Sequence, residues 1–368
     1  MESNHILRKI EKRKTFLAII GLGSVGLPTA ALFADAGFNV VAVDVKSEVI
    51  EAVNAGSSPI KEPGLHDLIK LNVEAKRLRT MLNSAEVLSQ ADVIIISVQT
   101  PIDKKKSPNL SFLLEVLQKV ANVLRREMLV VVSSTVPPGT MINVVKPLLE
   151  SASTLRADKD FYLAYVPERI APSNALKEFV ENPRLVGGIG PNSTRVTKRL
   201  FGTVCKTIIA TNASTAEVAK LAENTFRDVN IAFANELALL CEKLQVDVLD
   251  VIKLANTHPR VKIHLPGAGV GGPCLPKDPY LLIHPIRTTD LDFKIILASR
   301  HTNNYMPSHI VKLVVKGMSF VGKDIKKSKI TILGTAYKGG VGSPALSPSE
   351  KVIKELLSLG GEVVAYDP

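Results

Sequence analysis

Short, unbroken apolar runs alternate along the first half of the chain with spacers of helix length. Phe16–Ile20 is the first such run, as expected of a strand buried on both faces of a parallel sheet. GLGSVG (21–26) follows, then the helix-like LPTAALFADAG, then NVVAVD, which ends at Asp44. Runs of the same kind recur at ADVIIISV (91–98), MLVVVSST (128–135), FYLAYV (161–166) and KTIIAT (206–211). This alternation predicts a doubly wound α/β domain over residues 1–211.

The periodicity then changes. Ser214 and Glu217 have the spacing of a capping box, and apolar residues follow at 218, 221, 226, 229, 233, 237, 240 and 244. That spacing predicts one amphipathic helix of roughly thirty residues. A second helix is expected from near Asp247 to about Asn256, then a loop rich in Gly and Pro (266–279), then more helix to about residue 318. Residues 212–318 thus read as an all-helical middle domain with a long central helix. From 319 the first pattern returns: KITILGTAYK (329–338), a helix at 348–359 and GEVVAYDP echo IIGLGSVG…GFNVVAVD. The segment 319–368 reads as an incomplete second Rossmann-like domain. A two-strand unit is below what is normally stable alone, so either the chain is a shortened form or these strands lean on the rest of the protein.

Composition narrows the class. Hydrophobic residues make up 46% and charged residues 22% of the 368, the balance of a soluble globular protein. The N-terminus imitates a secretory signal: Arg8-Lys9 and Lys12-Arg13-Lys14 precede an apolar stretch, and Ala34-Asp35-Ala36 resembles a cleavage site. Gly21, Gly23, Gly26 and Pro28 break that stretch and suit a tight turn better. No later run reaches the ~18 apolar residues of a membrane span, so no membrane partner is expected. Three cysteines, at 205, 241 and 274, offer no disulfide framework, so a cytoplasmic location is expected. The net charge of +11 is spread thinly, without a basic-and-aromatic patch, which argues against a nucleic-acid partner. No metal site is expected.

Gly21, Gly23 and Gly26 match G-x-G-x-x-G between a strand and a helix, the Rossmann-type dinucleotide fingerprint. The glycines permit the turn, let a pyrophosphate approach the backbone and let helix pack on strand, while the helix N-terminus supplies N–H donors. Asp44 closes the second strand, where a carboxylate accepts hydrogen bonds from ribose hydroxyls and repels a 2′-phosphate. The expected cofactor is NAD rather than NADP. GVGGPCLPKD (269–278) sets Cys274 in a second glycine-rich loop, with Asp278 four residues on. The glycines of that loop would let a ligand approach, whereas Cys205 and Cys241 read as small buried hydrophobes. Lys220 and Asn224 are four apart and share one face of the long helix.

GLGSVGLPTA, SSTVPPGT (133–140), YVPERI (165–170), KLAENTFRDVNIAFANELALLC (220–241), LANTHPRVKIHLPGAGVGGPCLPKDPYLL (254–282) and GTAYKGGV (334–341) together resemble the UDP-glucose/GDP-mannose dehydrogenase family. The blocks keep the family's order over nearly the whole chain, and the helix and HPRV segments look closest to its UDP-N-acetyl-D-mannosamine branch. The resemblance implies NAD-dependent, four-electron oxidation of a sugar C6 alcohol to a carboxylate. Cys274 would be the nucleophile and Lys220 and Asn224 would stabilise oxyanions. Asp278 would assist proton transfer, and Glu168 and Thr135 would position a water. Lys220 beside Cys274 would lower the thiol's pKa. Val25, Thr100 and Thr135 join the implied cofactor contacts; Arg169, Arg260, Gly271 and Lys338 join Glu168, Lys220 and Asn224 at the UDP-sugar. A homodimer or higher homo-oligomer through the long helix is also implied. UDP-N-acetylglucosamine, UDP-glucose, a one-step β-hydroxyacid oxidation and an inactive nucleotide-sugar binding module are the alternatives.

Where the family usually carries Asp-x-Arg-x-Ser-Pro after GTAYKGGV, this chain has Gly342-Ser343-Pro344-Ala345-Leu346-Ser347-Pro348, and relatives continue past its YDP. Both departures are expected to weaken the nucleotide end of the site and leave the redox end intact.

Overall fold

A computed structural model describes residues 5–82, 85–287 and 289–368. They divide into two compact units, Met1–Lys220 and Leu221–Pro368. The first unit is built on one eight-stranded sheet, comprising β1 (Phe16–Ile20), β2 (Asn39–Asp44), β3 (Leu78–Leu82), β4 (Val93–Ile96), β5 (Leu129–Val132), β6 (Tyr162–Tyr165), β7 (Arg184–Gly188) and β8 (Ile208–Asn212). Their order is β3-β2-β1-β4-β5-β6-β7-β8, parallel throughout except for the antiparallel pair β6–β7. Alternate residues of β1 feed two cores: Leu17 and Ile19 face one layer of helices, Ala18 and Ile20 the other. All four are almost fully buried, which is why the strand reads as a continuous apolar run.

Two strands escape the sequence pattern. At β3, on the sheet edge, buried Leu78 and Thr80 alternate with exposed Arg79. At β7 the run is only RLVGG, opening on an arginine that is itself buried. The order reverses between β1 and β4, whose neighbours run outward in opposite directions. In open α/β sheets the crevice at such a reversal, beyond the strand C-termini, receives the ligand.

The helix expected at 214 forms as Ala213–Leu244, but not with the expected cap. The Asn212 side chain accepts from the Thr215 N–H at 2.8 Å. Glu217 is fully buried and accepts from the backbone N–H groups of Gly139 and Met141, both at 2.7 Å. Burial pushes its carboxyl above the ordinary range, partly offset by those two donors. The capping-box spacing is present, but the glutamate serves the opening turn of another helical segment.

In the second unit, helices Val248–Ala255, Asp278–Ile283, Lys294–Phe320 and Pro348–Ser358 accompany the long helix. β9 (Lys329–Leu333) and β10 (Glu362–Tyr366) pair in parallel, with Ile330, Ile332 and Val363 packed toward Val311, Val352 and Leu356. Their opposite face stays exposed at Leu333 and Tyr366. Arg300 donates to Asp228 at 2.6 Å inside this unit, and Asn303 donates to the same carboxylate oxygen at 2.9 Å. This buried polar link joins the long helix to Lys294–Phe320.

Candidate active site and cofactor turn

The turn after β1 is closed by its own backbone. Gly21 adopts φ +92°, a conformation L side chains rarely take, and its N–H donates to Val43 O at 2.8 Å. A Cβ on Gly26 would lie 1.8 Å from Gly21 O, so the helix Gly26–Asp35 can start here only from glycine. At Gly23 a Cβ would meet nothing within 4 Å, and the residue is exposed. The open position is thus the one at which a pyrophosphate would approach, and the turn fits a dinucleotide. Asp44 holds the turn as well as bordering it: Oδ2 accepts from the Leu22 N–H at 2.7 Å, and Oδ1 from the N–H groups of Val45 and Lys46 at 2.8 and 3.0 Å. Val25 directly precedes the helix and its carbonyl accepts from Thr29. Thr100, buried beyond β4, donates its hydroxyl to Thr135 O at 2.5 Å, tying two of the expected cofactor residues together.

The second βαβ unit repeats this device. Gly334 has φ +87° and donates to Tyr366 O at 2.8 Å, as Gly21 does to Val43. Asp367, closing β10 as Asp44 closes β2, accepts from Thr335 N, Thr335 Oγ1 and Ala336 N at 2.5, 2.9 and 2.8 Å. Those donors hold its carboxyl below the ordinary range. Asp367 was not singled out in the sequence, although the echo of VAVD in VAYD carries the signal.

Glu168 is buried beyond β6. One oxygen accepts from the Arg169 N–H at 2.6 Å, and the other from Arg184 at 2.8 Å. Arg184 is 2% exposed, lies over the Phe179 ring at 4.1 Å, and sits beside Cys205, whose thiol burial pushes up. An ion pair this deep is costly to break from either side. Sequence reading missed Arg184, because an arginine opening a short strand ordinarily reads as an exposed edge residue. Arg169 donates its guanidinium to Pro183 O at 2.6 Å, which fixes it to the same region.

In the second unit Asn224 and Asp278 meet. The buried Asn224 amide donates to Asp278 Oδ2 at 2.6 Å. Asp278 Oδ1, buried as well, accepts no hydrogen bond and has the Lys277 ammonium at 3.6 Å. Cys274 is exposed, and its carbonyl accepts from the N–H groups of Lys277 and Asp278 at 3.0 and 2.9 Å, which closes the turn carrying the thiol. Cys205 and Cys241 are each 5% exposed. The long approach to this loop is held by asparagines: Asn230 grips Lys262 O and His264 N, Asn235 accepts from Gly267 N, and Asn256 grips Ile263.

Gly271 and Gly272 differ from the glycines after β1. A Cβ on Gly272 would lie 2.7 Å from the Tyr337 ring, and one on Gly271 2.5 Å from Leu346 O. The Gly272 N–H donates to that same Leu346 carbonyl at 3.2 Å. The divergent segment 342–348 therefore packs on the loop of Cys274 through Leu346 and Pro348. Arg260 and Lys338 are exposed; Lys220, in the first unit, is buried, one helical turn before Asn224. Among the described residues no group of three or more His, Cys, Asp or Glu is placed to hold a metal ion. Among them, too, no helix is long and apolar enough to cross a membrane.

Comparison with known proteins agrees with this geometry. Residues 15–205 match the NAD binding domain of the UDP-glucose/GDP-mannose dehydrogenase family, and residues 214–305 its central domain. A UDP-N-acetyl-D-mannosamine dehydrogenase of Pyrococcus horikoshii is 43% identical over 96% of this chain and 83% of its own length. A solved UDP-N-acetyl-D-mannosamine dehydrogenase structure from the same organism superposes with a TM-score of 0.92 at 43% identity, covering 96% of this chain and 83% of that one. A UDP-glucose dehydrogenase structure from Pyrobaculum islandicum gives 0.89 at 29% identity, covering 96% and 82%. With a family NAD-binding domain over its sheet and the family's central domain over its long helix, the chain belongs to the UDP-glucose/GDP-mannose dehydrogenase family.

Proposed function

We propose that the chain oxidises the C6 alcohol of UDP-N-acetyl-D-mannosamine to the carboxylate, giving UDP-N-acetyl-D-mannosaminuronate. The observation that carries this is the 43% identity, over 96% of the chain, to an enzyme named for that substrate. NAD, when bound at the Gly21–Gly26 turn and Asp44, supplies the hydride acceptor for each of two successive oxidations. The first takes the alcohol to an aldehyde. Cys274 then adds through sulfur to the aldehyde carbon, forming a thiohemiacetal, and the second oxidation leaves a thioester. Water opens the thioester, returning the thiol and releasing the acid.

The roles proposed for the side chains follow from their chemistry. Asn224 and Lys220 offer donors to oxyanions formed on the sugar carbon. Asp278, with one oxygen tied to Asn224 and the other accepting no hydrogen bond, is suited to pass a proton. Glu168, set by Arg184, is suited with Thr135 to orient the hydrolytic water. Thr100 and Val25 are assigned to the cofactor; Arg169, Arg260, Gly271 and Lys338 to the UDP-sugar. Residues 1–211 would serve as the NAD domain, 212–318 as the helical domain carrying the thiol, and 319–368 as the start of the nucleotide-sugar domain. On the long helix Phe226, Phe233 and Leu240 recur every seven residues and are 64%, 49% and 52% exposed, the pattern of a helix seeking an identical partner, so a homodimer or higher homo-oligomer is proposed. A cytoplasmic setting is proposed from the small, odd number of cysteines.

The test is turnover on a panel of UDP-sugars with NADH counted per sugar. Two NADH per sugar are expected, with UDP-N-acetylmannosamine fastest, UDP-N-acetylglucosamine slower and UDP-glucose slowest. By analogy with small-group discrimination in other pockets, packing of the acetamido group is expected to separate the sugars by about 10- to 200-fold. UDP-glucose turning over fastest would overturn the substrate, and one NADH per sugar would overturn the thioester route. Cys274→Ser is expected to abolish uronate formation with NAD binding intact; unchanged product would refute the nucleophile.

A further inference from the structure

We infer that Tyr337 is a positioning residue for Cys274, its ring seated on the Gly272 backbone so that the turn presenting the thiol has one conformation. The inference rests on Cys274 being the nucleophile, and every contact it uses lies within the second unit. Gly272 has φ +84°, and an added Cβ would come within 2.7, 2.8 and 3.2 Å of three carbons of the Tyr337 ring. Such close approach is open to glycine alone, so the ring covers the face of the turn where a side chain would otherwise stand. A second contact pins the same residue, because the Gly272 N–H donates to Leu346 O. Leu346 itself holds φ +58°, a conformation that costs a leucine energy and is kept because the surrounding segment fixes it.

Tyr337 is not loosely placed. It follows Thr335 and Ala336, whose N–H groups the Asp367 carboxylate holds, so strand β10 fixes the turn on which the tyrosine stands. Burial first, and then the charge of Cys274, raise the phenol above its ordinary range. From Cys274 onward the turn closes on Lys277 and Asp278. A shift at Gly272 thus moves both the nucleophile and the carboxylate bound to Asn224. Because Lys338 adjoins Tyr337, the seat also lies next to the residue assigned to the sugar nucleotide.

Three variants test this: Tyr337→Ala, Tyr337→Phe and Gly272→Ala, the last alone and combined with Tyr337→Ala. In Tyr337→Ala, kcat is expected to fall about 10-fold with KM for sugar and for NAD within about 2-fold, the split of lost geometry rather than lost binding. Alkylation of Cys274 by iodoacetamide, followed by peptide mass mapping, is expected to speed up about 5-fold as the ring no longer covers the turn. Tyr337→Phe keeps the ring and should bring both readouts back to within about 2-fold of the parent. Gly272→Ala is strained at φ +84° with or without the ring, so activity should fall in both backgrounds, but further in the presence of the ring, since contacting residues are not additive. Equal alkylation rates in Tyr337→Ala and the parent, or additive effects in the double variant, would overturn the inference. Alkylation needs no turnover, so failure of Cys274 as nucleophile would show separately, as uronate still formed by Cys274→Ser.

Discussion

The chain has two glycine-rich loops, and they use glycine for different ends. After β1 the close approach is internal: Gly26 fits against Gly21 O, and Gly23 between them is left open to solvent. In the loop of Cys274 the space beside Gly271 and Gly272 is already taken, by Tyr337 and by Leu346 and Pro348. The first loop keeps a vacancy that suits a ligand. The second is filled by the protein itself, and its glycines let a neighbouring segment press on the backbone. A run of glycines announces close approach of something, and the sequence does not say whether that is substrate or side chain.

Substitution can break or sharpen this contrast. The largest effect is expected at Gly26→Ala, where the Cβ would overlap a carbonyl that cannot move without opening the turn. A loss of about 3 kcal/mol in urea unfolding is expected, with no measurable NAD binding; stability within about 0.5 kcal/mol of the parent would show that the turn yields. Next is Gly23→Ala, for which the opposite split is expected. Stability should stay within about 0.5 kcal/mol, while Kd for NAD rises about 10-fold, because the methyl occupies only the ligand's side. If stability fell and affinity did not, the vacancy would have no ligand role.

Asp44 gives a subtler comparison, since its carboxylate both borders the glycine turn and ties Leu22, Val45 and Lys46. The parent protein is expected to prefer NAD over NADP by at least ~10-fold in kcat/KM. Asp44→Asn removes the charge and turns one of the two accepting oxygens into a donor facing a backbone N–H, so the preference should shrink and the protein should lose about 1–3 kcal/mol in urea unfolding. A preference unaltered in that variant would leave the carboxylate as a staple for the turn, the part Asp367 plays after β9.

The helical unit and the sheet differ also in how far they could be read from the residues. β1, the glycine turn and β2 lie within thirty residues of one another, and each is announced by its own local pattern. The limits of β1 and β2 agree with the apolar runs, and the long helix falls where its periodicity put it. β7 was missed because its buried arginine looks polar in sequence and becomes acceptable only beside Glu168, sixteen residues earlier. Capping spacing is local and points Glu217 to its own helix, whereas its partners are 78 and 76 residues away. From its loop alone Cys274 could be expected to differ from Cys205 and Cys241, and it is the exposed one of the three. What stands around it could not be expected from the loop.

By itself, then, the sequence determined most of the elements and the dinucleotide turn and named candidate groups with chemistry, because periodicity, glycine spacing and residue type act over one or two turns of chain. Only tertiary structure decided which of those groups meet. Asn224 reaches Asp278 across 54 residues, Arg184 closes on Glu168 inside the sheet domain, and Tyr337 comes to rest on a glycine 65 positions before it. Such contacts are selected by burial, where a polar atom must find a partner and a cavity must be filled, and neither demand is written in the spacing of residues along the chain.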